Sequence, residues 1–480
     1  MAQADVTEFI ALGQNAASLR IADLLSKGIF GALLGLIVLT AIPYGTVEPW
    51  WKAVFACLVF ALCIGAILEG LLTGGLSNSS DFAGRSLLLP LLTLAIFAFA
   101  QTISLGGAGD NPGNISPALW NTISADPFQT RFFVLQLLAL ILTLALLYRY
   151  ASTERRVRSL IYVILAVAVA SAIFGILRQT TQHKVGYVLP LLKPDLGYGQ
   201  FGNKNHFAFL MEMALGLGLG LILGGGVKRD RAMIFFAALL PIWTALVLSN
   251  SRGGILAMLS QLVIAALLFT SIAPNSNGEV AQLRFFKLAR SVALRLMLLI
   301  ALVMGLLLGT LWVGGDRLVN TFEAARGELN PTATGSRGGA TRNEIWRATW
   351  RMFTAHPTLG VGFGGYWVAI TAYHDASGSL TPQEAHSDYL ELLSSGGLVG
   401  VALFGWFAVT LIRLTRRNLK SADRFGRAAV FGAVIGIAGV AVHSLVDFGL
   451  HLMANALVFT ILIMIATAKI DSERGLNVSV

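Results

Sequence analysis

Apolar runs of about twenty residues recur along almost the whole chain, and no other feature limits its fold so severely. They fall near residues 29–47, 52–70, 86–105, 131–148, 159–177 and 204–224, then near 232–249, 253–272, 293–313, 391–412, 427–446 and 449–469. Each carries little or no internal charge. A helix rises about 1.5 Å per residue, so runs of this length cross a bilayer core of roughly 30 Å. The expected fold is an all-α polytopic membrane protein with about 12 transmembrane helices. Composition agrees: 55% of the residues are hydrophobic and 12% are charged, against about 25% charged in soluble chains. So few charges cannot cover a water-facing surface of 480 residues.

Lys and Arg set the expected orientation. Twelve spans put both termini on one side. That side holds 22 of the 35 basic residues, among them Arg149, Arg155, Arg156, Arg158, Lys228, Arg229, Arg231, Arg413, Arg416 and Arg417. Both termini are therefore expected in the cytoplasm. The net charge of +10 follows from this bias, so membrane lipids are expected as partners and nucleic acid is not. The apolar run after the first 27 residues is too long for a signal-peptide core, and insertion by the first helix is expected. Cys57 and Cys63 would stand about 9 Å apart along one helix, too far for a disulfide.

The expected organisation is three parts: spans one to nine over 1–313, a large external loop over 314–390, and spans ten to twelve with a cytoplasmic C-terminus over 391–480. A loop this long is usually functional or disordered. Its tryptophans and tyrosines argue for order, and it carries six arginines and no lysine. Residues 341–353 (TRNEIWRATWRMF) read as an amphipathic helix. Trp346, Trp350 and Phe353 share one face and Arg347 and Arg351 another, a pattern that suits the membrane surface. Gly216, Gly218, Gly220 and Gly224 would let helices pack closely.

Polar groups concentrate in a few external segments. Arg252 lies in SNSRGG, where two glycines would let the backbone approach a ligand. Arg337 and Arg342 lie in GSRGGATRNEIW, and arginine grips phosphate oxygens through a planar fork. His386, in EAHSDYLELLSSGG, is placed to take a proton from a hydroxyl, with Asp388 or Glu384 orienting it. FGNKNHFAFLMEM supplies Asn203, Lys204, Asn205 and His206, with Glu212 deeper in its span. An ionisable residue there is functional by default, or else it makes a buried hydrogen bond between helices. His443 and Asp447 sit four apart in HSLVDFGLH and read as a structural pair. No metal-binding, phosphate-loop or serine-nucleophile motif is present.

Taken in order, FGNKNHFA, SNSRGG, RNEIW with HPTLGVGFG, AHSDYLELL and HSLVDF resemble the O-antigen ligase and O-antigen polymerase superfamily of bacterial inner-membrane glycosyltransferases. The resemblance spans about residues 195–455. It implies a GT-C-like fold and an enzyme that uses neither a metal nor another cofactor. It also implies a glycan donor on undecaprenyl diphosphate and a glycan acceptor, with transfer at the periplasmic face. Arg252 and Arg342 would hold the diphosphate, with Arg337 beside them, and His386 would activate the acceptor hydroxyl. Asn203, Lys204, Asn205, His206 and Asp388 would line the substrate site. The chain departs from the family pattern at Lys204, where arginine or proline is common, and at Ser395 and Gly396, where Glu-Leu is frequent. Both departures bear on the acceptor pocket.

The leading expectation is a polysaccharide polymerase, because NKNHFA and HSLVDF resemble the polymerase-like members, with a chain-length regulator protein as a further candidate partner. Transfer to lipid A-core by a ligase, or to protein hydroxyls, comes next. Non-enzymatic rivals are a flippase or transporter and a structural subunit of an export complex. Transporters favour inverted repeats and midplane sites on broken helices, whereas the polar groups here gather at one membrane face.

Overall fold

A computed structural model describes residues 2–73, 84, 86–104, 122–181, 189, 192, 197–272, 342–374, 382–420 and 423–470. The helices are α1 (Ala2–Ala41), α2 (Pro49–Leu72), α3 (Leu88–Ala100), α4 (Pro127–Tyr150), α5 (Glu154–Thr180) and α6 (Lys204–Leu223). They continue with α7 (Arg229–Leu248), α8 (Arg252–Ile272), α9 (Arg342–Ala355), α10 (Asp388–Asn418), α11 (Arg424–His443) and α12 (Met453–Thr467). No strand forms among the described residues. Eight of these helices, counting Ser18–Ala41 within α1, are long and apolar enough to cross a membrane, and α3, α8 and α12 are apolar as well. The chain is an all-α polytopic membrane protein. The run at 293–313 and Arg337 lie outside the described residues.

Local signals start the helices. Asp126, Thr153, Asn203, Ser387 and Asp423 each accept a hydrogen bond from a backbone N–H in the first turn of the helix that follows, as N-caps do. The first span differs from its expected bounds of 29–47. It runs from Ser18 to Ala41, and Pro43 and the left-handed residues Tyr44, Gly45 and Thr46 turn the chain before α2.

The centre of the bundle is α6 against α11. A side chain at Gly216 or Gly220 would run into the backbone of Gly436 or Gly432, and one at Gly224 into Ala428. This is the close packing that small residues at four-residue spacing permit; Gly218 instead faces Leu239 of α7. Helix α12 is buried on almost every side. At 15 residues it is about 22 Å long, short of the bilayer core, which a helix enclosed by other helices need not match. Leu71, Met233 and Ile96 face outward, as lipid-facing side chains do.

Helix α9 forms where the sequence expects an amphipathic helix, with Trp350 on its exposed side. Its buried stripe is Ile345, Ala348, Thr349 and Met352, which packs with Val361, Tyr366, Ala369, Ile370 and Ala385. Trp350 is 53% exposed, with Arg347 and Arg351 beside it. Small residues let this helix seat closely on protein, so the tryptophan face is the outer one.

The strap of residues 357–365, which contains the glycine-rich segment LGVGFGG (359–365), crosses α10 where that helix breaks. Gly397 has φ +59°, and Val361, Gly362, Leu398 and Val399 exchange backbone hydrogen bonds between strap and helix. Buried Gln101 at the end of α3 ties the two, donating to Leu359 O at 2.7 Å and Ser395 O at 3.1 Å. Ser395 and Gly396 are therefore enclosed in this junction, with Gly396 against the Phe363 ring. They shape helix packing rather than an acceptor pocket.

Candidate functional site

At one end of the bundle, the start of α6, α8, α9 and α10 and the end of α11 meet. Asp447, 1% exposed, lies at the centre. Its carboxylate accepts a hydrogen bond from Arg342 Nη2 at 3.2 Å and a short one from Asn205 Nδ2. His206 Nε2 stands 3.8 Å away. A carboxylate offers about four lone-pair sites, so one buried Asp can organise three neighbours. Arg342 keeps most of its five donors for another partner.

The side chains of His443 and Asp447 do not pair, although Asp447 N–H donates to His443 O at 3.1 Å, one turn on. Instead, His443 Nδ1 lies 2.9 Å from Glu212 Oε2, with both side chains fully buried. The buried bond between helices is thus the role Glu212 fills. Gly253 packs against the same imidazole, and Gly254 against Ala208. The glycines after Arg252 serve contact between helices, not approach to a ligand. The contact brings the half-buried Arg252 to the turn that follows α11, the turn that also holds Arg342.

His386 sits where the chain enters α10, with φ +50°, a left-handed conformation that costs a non-glycine residue of order 1 kcal/mol or more. Flanking bonds hold it there. The preceding residue, Ala385, receives Trp346 Nε1–H on its carbonyl at 3.1 Å and gives its own N–H to Glu391 at 3.1 Å. Beyond it, Asp388 N–H donates to Ser444 O at 3.0 Å. The His386 ring lies edge-on to Phe448 at 5.0 Å, and His206 and His451 approach the same ring at 4.9 and 5.6 Å.

The carboxylates expected to orient His386 are engaged by His451. Glu384 lies 3.4 Å from its Nδ1, and Asp388 and Glu391 each lie 3.6 Å from its Nε2. Asp388 also accepts from Ser444 Oγ at 2.6 Å. Burial would lower the pKa of His451, but the charges of Glu391, Glu384 and Asp388 outweigh it and push the pKa up to about 10. Burial would raise that of Glu384, and the positive charge and hydrogen bond of His451 overturn this and hold it low. Glu384, Glu391 and His451 bring ligand atoms within 4.8 Å of one another and are the group among the described residues that could hold a metal. Binding would require a deprotonated imidazole, which the three carboxylates oppose.

Of the other expected residues, Asn203 caps α6 by accepting from Asn205 N–H at 2.9 Å, and Lys204 is exposed on its first turn. An open cleft of about 640 Å³ beside the site is lined by Trp346, Arg347, Trp350, Arg351 and Leu390. Sequence reasoning missed three contributors. His451 and Glu391 stood inside quoted motifs without a role. Arg178, fully buried at the end of α5, donates to Gly199 O at 2.9 Å and fixes the turn leading into α6; one arginine at the end of an apolar span gave no signal of it.

Residues 235–405 match the family described as O-Antigen ligase. The match takes in Arg252, Arg342, His386, Asp388 and Glu391, and stops short of 203–206 and 443–451. None of the curated proteins matches.

Proposed function

We propose, from this chain's place in the O-antigen ligase and O-antigen polymerase superfamily, that it is a polysaccharide polymerase of the bacterial inner membrane. It moves a glycan from undecaprenyl diphosphate to a hydroxyl of a second lipid-linked glycan at the periplasmic face. The family assignment supports a glycosyltransferase-type enzyme. The observation that carries the finer reading is that Arg342, through Asp447, and the first turn of α8 beside Arg252, through Gly253, both meet the turn that ends α11, with His386 on the neighbouring Phe448.

Breaking the bond between the anomeric carbon and the diphosphate leaves negative charge on the leaving group. Guanidinium groups fixed in a partly dehydrated cleft stabilise that charge, which is the part a metal ion plays elsewhere. The acceptor hydroxyl passes its proton to the His386 imidazole as the new glycosidic bond forms. Asp447 keeps Arg342 aimed. The site lies at the end of the bundle opposite Arg149, Arg158 and Arg424, and the positive-inside rule supports a periplasmic location for it.

The preference for a polymerase rests on FGNKNHFA and HSLVDF. The matching family is described as O-Antigen ligase and is compatible with a second reading, transfer to lipid A-core. Purified protein with a lipid-linked oligosaccharide separates the two. A ladder of longer lipid-linked chains is the expected product, and label on lipid A-core instead means a ligase. Chelation with EDTA should leave the rate unchanged. Absence of any product with lipid-linked glycan, lipid A-core or peptide acceptors overturns the enzyme reading in favour of transport or a structural role.

A further inference from the structure

We infer that His443, locked by Glu212, is the positioning residue for Arg252. The inference rests on Arg252 being a diphosphate ligand, as proposed above.

The His443 imidazole has no freedom to move. It is fully buried, its Nδ1 is bonded to Glu212 Oε2 at 2.9 Å, and its face stacks on Phe209 at 4.0 Å with the planes 15° apart. The edge left over, Cδ2 and Nε2, meets the backbone of Gly253. A Cβ there would stand 2.3 and 2.4 Å from those two atoms, and 3.0 Å from Val446. Real Cβ atoms do not approach so closely, so the first turn of α8 rests directly on the ring.

Arg252 is the residue before Gly253 and the first of α8. The position of its Cα is therefore set by where the imidazole edge lies, and the imidazole is set by Glu212. Four residues after His443, Asp447 holds Arg342. The end of α11 thereby sets where the Arg252 backbone stands, through the Gly253 contact, and where the Arg342 guanidinium stands, through a carboxylate. Glu212 and His443 need touch no substrate to matter for it.

The conservative variant separates positioning from plain stability. Glu212→Leu removes the acceptor for the imidazole N–H, and it should weaken binding of undecaprenyl diphosphate to the detergent-solubilised full chain by about tenfold. Glu212→Gln keeps an oxygen for that N–H and should recover most of the loss. Gly253→Ala drives a methyl into the ring and should weaken binding further, and His443→Ala added to it makes room and should bring binding back above the Gly253→Ala level. If these variants lower only the melting temperature, with the affinity of the folded molecules unchanged, the positioning role is wrong. Should Gly253→Ala not fold, the Gln-against-Leu comparison at Glu212 decides alone. Arg252→Ala is the control for the underlying reading: wild-type affinity and transfer there remove the diphosphate role, whereas loss there with normal Glu212→Leu removes only the positioning.

Discussion

The two ends of the bundle handle charge differently. At the end away from the site, several arginines have local acceptors, although Glu69 takes a bond from Tyr150 as well as from Arg149. Arg158 bonds Glu154 at 2.6 Å one helical turn away, Arg149 pairs with Glu69, and Arg156 donates to Tyr150 O at 2.8 Å. At the site end, partners are shared. Asp447 serves Arg342, Asn205 and His206, and His451 stands among three carboxylates. Dedicated pairs fix orientation and can be removed singly at modest cost. Shared, buried partners make a coupled set, in which one substitution disturbs several groups.

The largest effects should therefore come from the site end. Arg252→Ala and Arg342→Ala are each expected to lower kcat/KM about 10²–10³-fold, as loss of a charge-stabilising donor does. His386→Ala should cost about 10²–10⁴-fold while donor binding persists. Transfer assays paired with binding to undecaprenyl diphosphate check all three; loss of donor binding in His386→Ala would remove its assignment as base. Trp346→Phe comes next. It deletes the bond to Ala385 O that steadies the left-handed His386, and a displaced catalytic group should lower kcat by about tenfold with KM little changed. Equal kcat in that variant would mean that Glu391 and Ser444 suffice.

Some of the residues that meet at this end stand out in the sequence, and their partners do not. Arg252 and His386 announce themselves because each stands at the mouth of an apolar run, and Arg342 because it opens an amphipathic helix. Their partners were not legible, because Asp447 meets residues 105 and 242 positions away. Spacing misled at His443 and Asp447: they do stand one turn apart, with Asp447 N–H on His443 O, yet each side chain finds its partner on another helix. In α9 periodicity gives the amphipathic pattern, and the structure adds that Ala348 faces protein while Trp350 is exposed. Periodicity identifies a face but not which face finds protein. The glycines of α6 were read correctly because close packing of small residues is a local property of the helix.

The shared histidine gives the next prediction. The folded His451 has a pKa raised to about 10, well above an unfolded value of about 6.5. Its contribution to stability is complete below the unfolded value and is lost as pH rises through about 10. Glu384 acts in the opposite sense: its carboxyl is held low, so its share is lost on acidification through that lowered value. The melting temperature of the solubilised protein should fall on the alkaline side, and His451→Gln should flatten that limb. An unaltered alkaline limb in His451→Gln would place the proton elsewhere.

The smallest effects should lie at the far end, and they can be ranked. Glu154→Gln removes one side of a partly exposed i,i+4 pair, a change of about 0.3–0.5 kcal/mol. Arg158→Ala removes more than the pair, because the guanidinium carbon also lies 3.7 Å from the centroid of the Phe425 ring. A cation over an aromatic face adds about 0.5–1 kcal/mol at such sites, and here it links α5 to the first turn of α11. Arg158→Ala should thus destabilise more than Glu154→Gln, with transfer activity per folded molecule unchanged in both. Equal melting temperatures for the two variants would show that the ring contact contributes nothing. A fall in specific activity would show that the two ends communicate through α11 and are not the independent regions their pairing implies.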